Sequence, residues 1–395
     1  MVYKFNILIL SNRDSLDVSQ QISETTVFAA VHVLIANLGF SDSDFAIARR
    51  DLENVFPTAT AETTLSDLSP GAQRLLHGAD LLIVASPSEC SGDDLMLRRI
   101  EAALRVGKML GIPTATAGAC GLEDTALGSK VESTRLLHPN FLAAHSGAFE
   151  PSPLEANTVG VIVESPTAGE ANMVSHLSRA TLATLAESCS AQGARVRVFS
   201  TGEPTEHQFL SDLRRQLPSD SAVQVTPVET PQQFVDELTS CGSVLTSRFS
   251  IAALAAGFGV SVVGYGKNPH LAELLRTEQF SDYYFATDRP HELEKSAVNL
   301  AQALVGALTK KRQIWQSSMF NSYLSLFAQV RPVLRPLAEM PPYSLEEYTN
   351  HARGVSSVDP YYQARQKSRW ERALSASTRV RTAESPVAHT ARLGV

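Results

Sequence analysis

A chain of 395 residues, 44% of them hydrophobic, is long enough for two domains with their own cores and some chain left over. The net charge of -7 argues against a nucleic-acid partner, because phosphate backbones are bound by basic faces. The four cysteines (Cys90, Cys120, Cys189 and Cys241) form no C-x-x-C pair, so neither a metal site nor a disulfide framework is expected and a reducing cytoplasm is the expected compartment.

Residues 5–10 (Phe-Asn-Ile-Leu-Ile-Leu) read as a buried strand. The run is too short for a signal peptide, and no apolar run approaches the roughly 20 residues that span a bilayer. A polar turn, Ser11-Asn12-Arg13-Asp14, leads to a helix over about 15–37. In it Ile22, Val27, Ala30, Val31, Leu34 and Ile35 recur at helical spacing. Gly39 stops it. Residues 45–48 suggest a second strand. Residues 57–72, rich in Thr, Ser, Ala and Pro, suggest a loop that includes a helical turn. A strong buried strand at 80–85 ends at Ser86-Pro87. A helix over 93–110, a stop at Gly111-Ile112-Pro113, a strand to Thr116 and a flexible turn at Gly118-Ala119-Cys120-Gly121 follow. No G-x-G-x-x-G follows the first strand.

Residues 146–157 contain two prolines and read as an interdomain linker. The alternation then restarts with a strand at 159–163, the loop Glu164-Ser165-Pro166-Thr167-Ala168-Gly169 and a helix to 191. Strands at 196–199 and 222–225 bracket a helix opened by Pro204, and Thr230-Pro231 opens another as N-cap and first helical residue. The order predicts an α/β protein of two Rossmann-like domains, 1–148 and 157–337. The first would hold an acceptor and the second a donor. A long helical segment, 291–337, would return over the first domain. Residues 338–395 read as a mainly disordered tail. Its last part, 360–395, holds seven Lys or Arg and two Asp or Glu. A solvated tail is the plain reading, with peripheral contact to anionic lipid as the alternative.

Residues 240–269 organise the second half. A buried strand at 242–245 meets Thr246 and Ser247, which are N-cap residue types. An Ala- and Leu-rich helix runs from Arg248 to Gly257 and Gly259, and a second buried strand follows at 260–263. Strand, short helix, strand requires a parallel pair with a crossover. Two loops then leave the carboxyl edge of the sheet, where ligands bind in open α/β folds. One carries Thr246, Ser247 and Arg248, and the other Tyr265, Lys267 and Asn268. Two cations and helix-start N–H groups suit an anionic ligand. The plainer alternative pairs Arg248 with an acid, leaves Lys267 exposed and gives Tyr265 a packing role.

The same stretch, Ser-Arg-Phe-Ser-Ile-Ala-Ala-Leu-Ala-Ala-Gly-Phe-Gly-Val-Ser-Val-Val-Gly-Tyr-Gly-Lys, resembles the polysaccharide pyruvyl transferase family. The family pattern is Arg-Leu-His, an Ala-rich helix, Gly-x-Pro, an apolar strand, then Tyr and Lys. Thr-Pro-Gln-Gln-Phe-Val-Asp-Glu-Leu upstream, and Ala-Asp-Leu-Leu-Ile-Val with Leu-Gly-Ile-Pro in the first half, extend the likeness over roughly 75–320. The resemblance implies a glycosyltransferase-B-like architecture. It also implies transfer of a pyruvyl group from phosphoenolpyruvate, without a cofactor, to a sugar of a cell-surface glycan or its precursor, as in exopolysaccharide biosynthesis. Arg248 and Lys267 would hold the anionic donor, Ser247 and Asn268 would add hydrogen bonds, and Tyr265 would line the pocket.

Ser250 stands where the family has its histidine, and a serine does not titrate near neutral pH. His270 is the candidate catalytic group in its place, with His176 at poorer reach. Weak or absent pyruvyl transfer with retained ligand binding is therefore expected. Two alternatives stay open: a glycosyltransferase of the same architecture using a nucleotide-sugar, and a non-catalytic protein that binds a glycan or a partner.

Overall fold

The computed structural model describes residues 5–12, 17–37, 45–60, 62–85, 94–118, 138–155, 157–164, 177–216, 223–277, 281–309 and 326. The first half contains β1 (Phe5–Ser11), α1 (Val18–Asn37), β2 (Phe45–Asp51), α2 (Leu52–Val55), α3 (Pro70–His77), β3 (Leu81–Ala85), α4 (Asp94–Met109) and β4 (Thr114–Ala117). A 3-10 segment, Pro139–His145, leads out of it. The second half contains β5 (Thr158–Val163), α5 (Arg179–Ala191), β6 (Arg195–Ser200), α6 (Pro204–Gln216), β7 (Val223–Thr226), α7 (Pro231–Ser240) and β8 (Ser243–Thr246). It continues with α8 (Phe249–Gly257), β9 (Ser261–Tyr265), α9 (Pro269–Thr277), β10 (Tyr284–Phe285), α10 (Pro290–Lys295) and α11 (Ala297–Thr309).

There are two sheets, each parallel throughout, with strand orders β2-β1-β3-β4 and β10-β9-β8-β5-β6-β7. The second order, read from β7, is 3-2-1-4-5-6 in its own half, the doubly wound Rossmann order with its switch point between β5 and β8. The chain is thus an α/β protein of two Rossmann-like domains. No described helix is long and apolar enough to cross a membrane.

Strand pleating sends β1 side chains to both faces of the first sheet. Leu8 and Leu10 pack with Leu52, Phe56, Ile100 and Val106 on one face. Ile7 and Ile9 pack with Ile22, Val27 and Val31 of α1 on the other, and that core continues into Phe141, Phe234, Phe249 and Leu254 of the second half. The domains therefore share apolar surface. Every residue of α8 is buried, as a helix apolar on all sides requires. It lies against the segment Pro139–His145 so closely that a Cβ on Gly257 would stand 2.7 Å from the carbonyl oxygen of Phe141. Asn140 fastens the same junction. Its Oδ1 accepts from Ser23 Oγ at 2.8 Å, and its Nδ2 donates to the Ser250 carbonyl at 3.0 Å.

The proline-containing linker is extended and held along α7. Ser152 N donates to Thr239 Oγ1 and Ser152 Oγ to Asp236 Oδ1, each at 2.9 Å. Arg197, nearly buried, reaches Glu155 at 2.9 Å and Glu237 at 3.3 Å. Several expectations need correction. Residues 57–72 carry more order than a loop: a 3-10 turn at Leu65–Asp67 and the start of α3, whose N-cap Ser69 accepts from Ala72 N. Tyr265 ends β9 instead of lying in the loop beyond it. The helical segment from 291 is broken at Ser296 into α10 and α11. Its expected return over the first domain, apart from the buried helical residue Leu326, lies outside the described residues, as do Cys90, Cys120, His176 and the tail 338–395.

Overfilling a packed contact costs roughly 1–3 kcal/mol. Gly257→Ala is therefore expected to lower the stability of the folded protein by that amount, read as a lower urea midpoint, whereas Gly71→Ala, whose Cβ would meet only Ser69 Oγ at 3.9 Å, leaves it within about 0.5 kcal/mol.

Candidate functional site

The carboxyl edges of β8, β5 and β6, neighbours across the switch point, each deliver an acid or a base to one crevice. β5 ends at Glu164, which is 1% exposed. Its carboxylate accepts from Thr246 Oγ1, from Ser247 Oγ and, at 2.9 Å, from Ser247 N. That bridge ties the turn after β8 to the end of β5. Thr246 and Ser247 accordingly do not act as the N-cap expected of them. Arg248 is the N-cap of α8, and its side chain makes no capping bond. Thr246 Oγ1 instead accepts from Arg248 N at 3.1 Å.

Arg248 points at the first domain. Its Nη1 is paired with Asp17 Oδ2, and the two side chains are 13% and 5% exposed. Asp17 precedes α1, and its Oδ1 accepts from Ser19 N at 2.8 Å, which is N-cap geometry. One residue on, Val18 N donates to the Thr201 carbonyl at the end of β6, at 2.8 Å. The loop after β6 also contributes Glu203, and the first turn of α6 contributes the fully buried Glu206, which accepts from Thr201 N at 2.7 Å. Four carboxylates thus gather around one guanidinium. Among the described residues, no group of three or more His, Cys, Asp or Glu could hold a metal ion.

The electrostatics follow from that crowding. Burial raises the Glu164 carboxyl above its ordinary value, opposed by Arg248 and by the donors from Ser247 and Thr246. Burial also raises Glu203, and repulsion from Asp17 and Glu206 adds to it, with Arg248 opposing. Tyr265 is fully buried, and its hydroxyl has no hydrogen-bond partner among the described residues. Burial, reinforced by the nearby Glu164 charge, holds its pKa well above the phenol value. Ser247 lies close enough to pull the other way without making a hydrogen bond of ordinary geometry.

The remaining expected site residues lie on the next loop or in the junction. Lys267 Nζ is 2.8 Å from Asp288 Oδ1, and its side chain is 65% exposed. Asn268 caps α9, its Oδ1 accepting from His270 N at 3.0 Å and Leu271 N at 3.1 Å. Gly266 takes φ 104°, and Tyr284 Oη donates to its carbonyl at 2.7 Å. A glycine is needed there because other residues rarely adopt that conformation. His270 packs on Phe249 with ring centroids 5.9 Å apart. Ser250 is buried in the domain junction, 4% exposed. Buried His138, its pKa lowered by burial to about 3, meets the same Phe249 ring at 5.8 Å. The structure therefore brings Ser247, Arg248 and Tyr265 together and gives Lys267 and Arg248 different acids.

Sequence reading missed Asp17, Glu203 and Glu206 and treated Glu164 only as the start of a loop. An acid directly after an all-buried strand, and an Asp two residues before a Ser at a helix start, were the available signals.

No family model and no curated protein matches the sequence. Solved structures do. The UDP co-structure of MnaA from S. aureus matches over 86% of this chain and 99% of that one, with a TM-score of 0.50 at 9% identity. The UDP-GlcNAc 2-epimerase of Neisseria meningitidis bound to UDP-GlcNAc matches over 84% and 100%, with a TM-score of 0.49 at 10% identity. AviGT4, a glycosyltransferase involved in avilamycin A biosynthesis, matches over 85% and 99%, with a TM-score of 0.41 at 13% identity. The fold they share is one of two Rossmann-like domains. At such identities the likeness is one of fold, and function is a matter of the site.

Glu164→Ala leaves three donors without their acceptor. Each buried unsatisfied group costs roughly 1–3 kcal/mol, so a loss of about 2–4 kcal/mol in urea unfolding is expected. Glu203 tests the electrostatics. Its folded pKa is raised, so the folded state binds its proton more tightly than the unfolded chain does. Its contribution is full below the ordinary value of 4.5 and is lost as pH rises through the raised value. Glu203→Gln is expected to raise the thermal midpoint at pH 7 and to flatten its decline above pH 4.5, as read by calorimetry across that range.

Proposed function

We propose that the protein binds a nucleotide-sugar in the crevice between its domains and transfers the glycosyl group to a hydroxyl of an acceptor sugar. The observation that carries this reading is the switch point between β5 and β8, where the amino end of α8 and Arg248 meet the first domain. A helix amino terminus and a guanidinium both stabilise a diphosphate as it gains charge on leaving. In the transfer, the acceptor oxygen forms a bond to the anomeric carbon as the bond to the diphosphate oxygen breaks. The acceptor proton goes to a carboxylate. Glu203, half-buried with a raised pKa, is suited to take it, because a base works best when its pKa lies nearer the working pH. The pyruvyl transferase resemblance implies the same architecture, so the fold favours neither reading and the site decides.

Pyruvyl transfer from phosphoenolpyruvate is the second reading. Arg248 at the amino end of α8 favours it, within the stretch that resembles that family, with His270 against Phe249 as the nearby imidazole. Both donors are small anions, and a binding comparison separates them.

Thermal-shift and calorimetric titration with UDP, UDP- and GDP-sugars and phosphoenolpyruvate tests both readings. A true donor at a hundred times its dissociation constant stabilises by about 2.7 kcal/mol. Arg248→Ala is expected to weaken it by about 1.5–3 kcal/mol, the range for charged hydrogen bonds. Stabilisation by phosphoenolpyruvate and by none of the nucleotides would replace the first reading with the second. Stabilisation by neither class would overturn both.

A further inference from the structure

Two helices present their amino ends to the same crevice, α1 from the first domain and α8 from the second. Each carries partial positive charge at that end. Arg248 adds a full charge at the start of α8, where a cation opposes the helix dipole and calls for an anion. No side chain caps α8. The buried Tyr265 hydroxyl, unpartnered among the described residues, lies in the field of Arg248, Glu164 and Glu206 beside that turn. The structure fills the need for an anion from within. Asp17 places one carboxylate oxygen on the backbone of α1 and the other on Arg248.

We propose that Asp17 occupies the anion position of the crevice and competes with the incoming ligand for Arg248. The proposal rests on the reading of this crevice as the site of an anionic, phosphate-bearing donor. The surroundings bias the competition. Glu203, from the loop after β6, repels Asp17 and would repel a ligand as well, and Glu206 of α6 adds negative charge beside it. Glu164, from the edge of β5, is held by Thr246 and Ser247 and stays in place when Asp17 gives way. Displacement breaks the contact between Asp17 and Arg248, while the other Asp17 oxygen keeps its bond to Ser19 N. Asp17 therefore neutralises Arg248 and lowers the affinity of the crevice for every anion, so only a ligand with further contacts, such as a nucleotide, competes with it.

Asp17→Asn and Asp17→Ser test this, since both residue types still cap a helix. Two readouts are used on the full chain. The first needs no ligand: phenylglyoxal labelling of Arg248, followed by peptide mapping, is expected to run at least fivefold faster in both variants than in the wild type. The second is calorimetric binding of UDP and of inorganic pyrophosphate, expected at least tenfold tighter in both variants and lost in Arg248→Ala. Circular dichroism and the thermal midpoint confirm that each variant folds. Unchanged labelling, or wild-type binding of UDP that neither variant improves, overturns the competition while the donor reading stands. Faster labelling with no binding of either anion to any form overturns the donor reading, and the competition with it.

Discussion

The burial of α8 is the constraint on which the arrangement depends. A nine-residue helix of Phe, Ile, Leu, Ala, Ser and Gly has no polar face to show to water. The second sheet covers one side, and the other is covered by the first domain through the segment Pro139–His145. The contact is close because Gly257 carries no side chain, and it is specific because Asn140 bonds to both α1 and α8. Apolar burial of this kind contributes roughly 25 cal/mol for each Å² removed from water. It fixes how the domains meet, and so it sets Arg248 opposite Asp17.

The polar crevice is a consequence of that packing. Parallel strands with crossover helices put all helix amino ends on one edge of a sheet. When two such edges face each other, partial positive charges converge. The chain answers with carboxylates from four places, Asp17, Glu164, Glu203 and Glu206, and with one guanidinium. Burying acids is unfavourable unless they are bonded; three of the four are bonded, and the half-buried Glu203 carries a raised pKa instead. Glu164 holds the β8 turn, Glu206 holds Thr201, and Asp17 holds α1 and Arg248. The charged cluster is thus a structural joint between the domains as well as the candidate site.

That double role bears on the family resemblance. The Ser-Arg-Phe-Ser stretch and the Tyr-Gly-Lys beyond it suggest two cations reaching for one anionic donor. In the folded chain Arg248 faces Asp17, whereas Lys267 reaches Asp288 on an exposed loop. Tyr265 is buried at the end of its strand, and Ser250 is taken up by the domain junction, its carbonyl bonded to Asn140. The fold is shared with a structure solved with UDP at 9% identity. So low an identity leaves the chemistry to particular residues, and here those residues are mostly acids.

The sequence by itself determined the elements and their alternation. Runs such as Leu-Leu-Ile-Val-Ala and Thr-Val-Gly-Val-Ile-Val can only be buried strands, and Thr230-Pro231 or Gly257 to Gly259 mark helix ends through local backbone chemistry. From these the two-domain α/β class and the strand–helix–strand unit around α8 were legible. The small helix α3 was not, because Ser69 and Pro70 sit in a stretch whose composition resembles a loop. The site was legible only in half. Arg248 and Ser247 stand beside the organising helix and are found by local pattern. Asp17 is 231 residues away from Arg248, and Glu164 is 83 from Ser247. Such pairings have no local signature. They follow from which strands become neighbours and from where one domain's helix ends against another's, which only the tertiary packing decided.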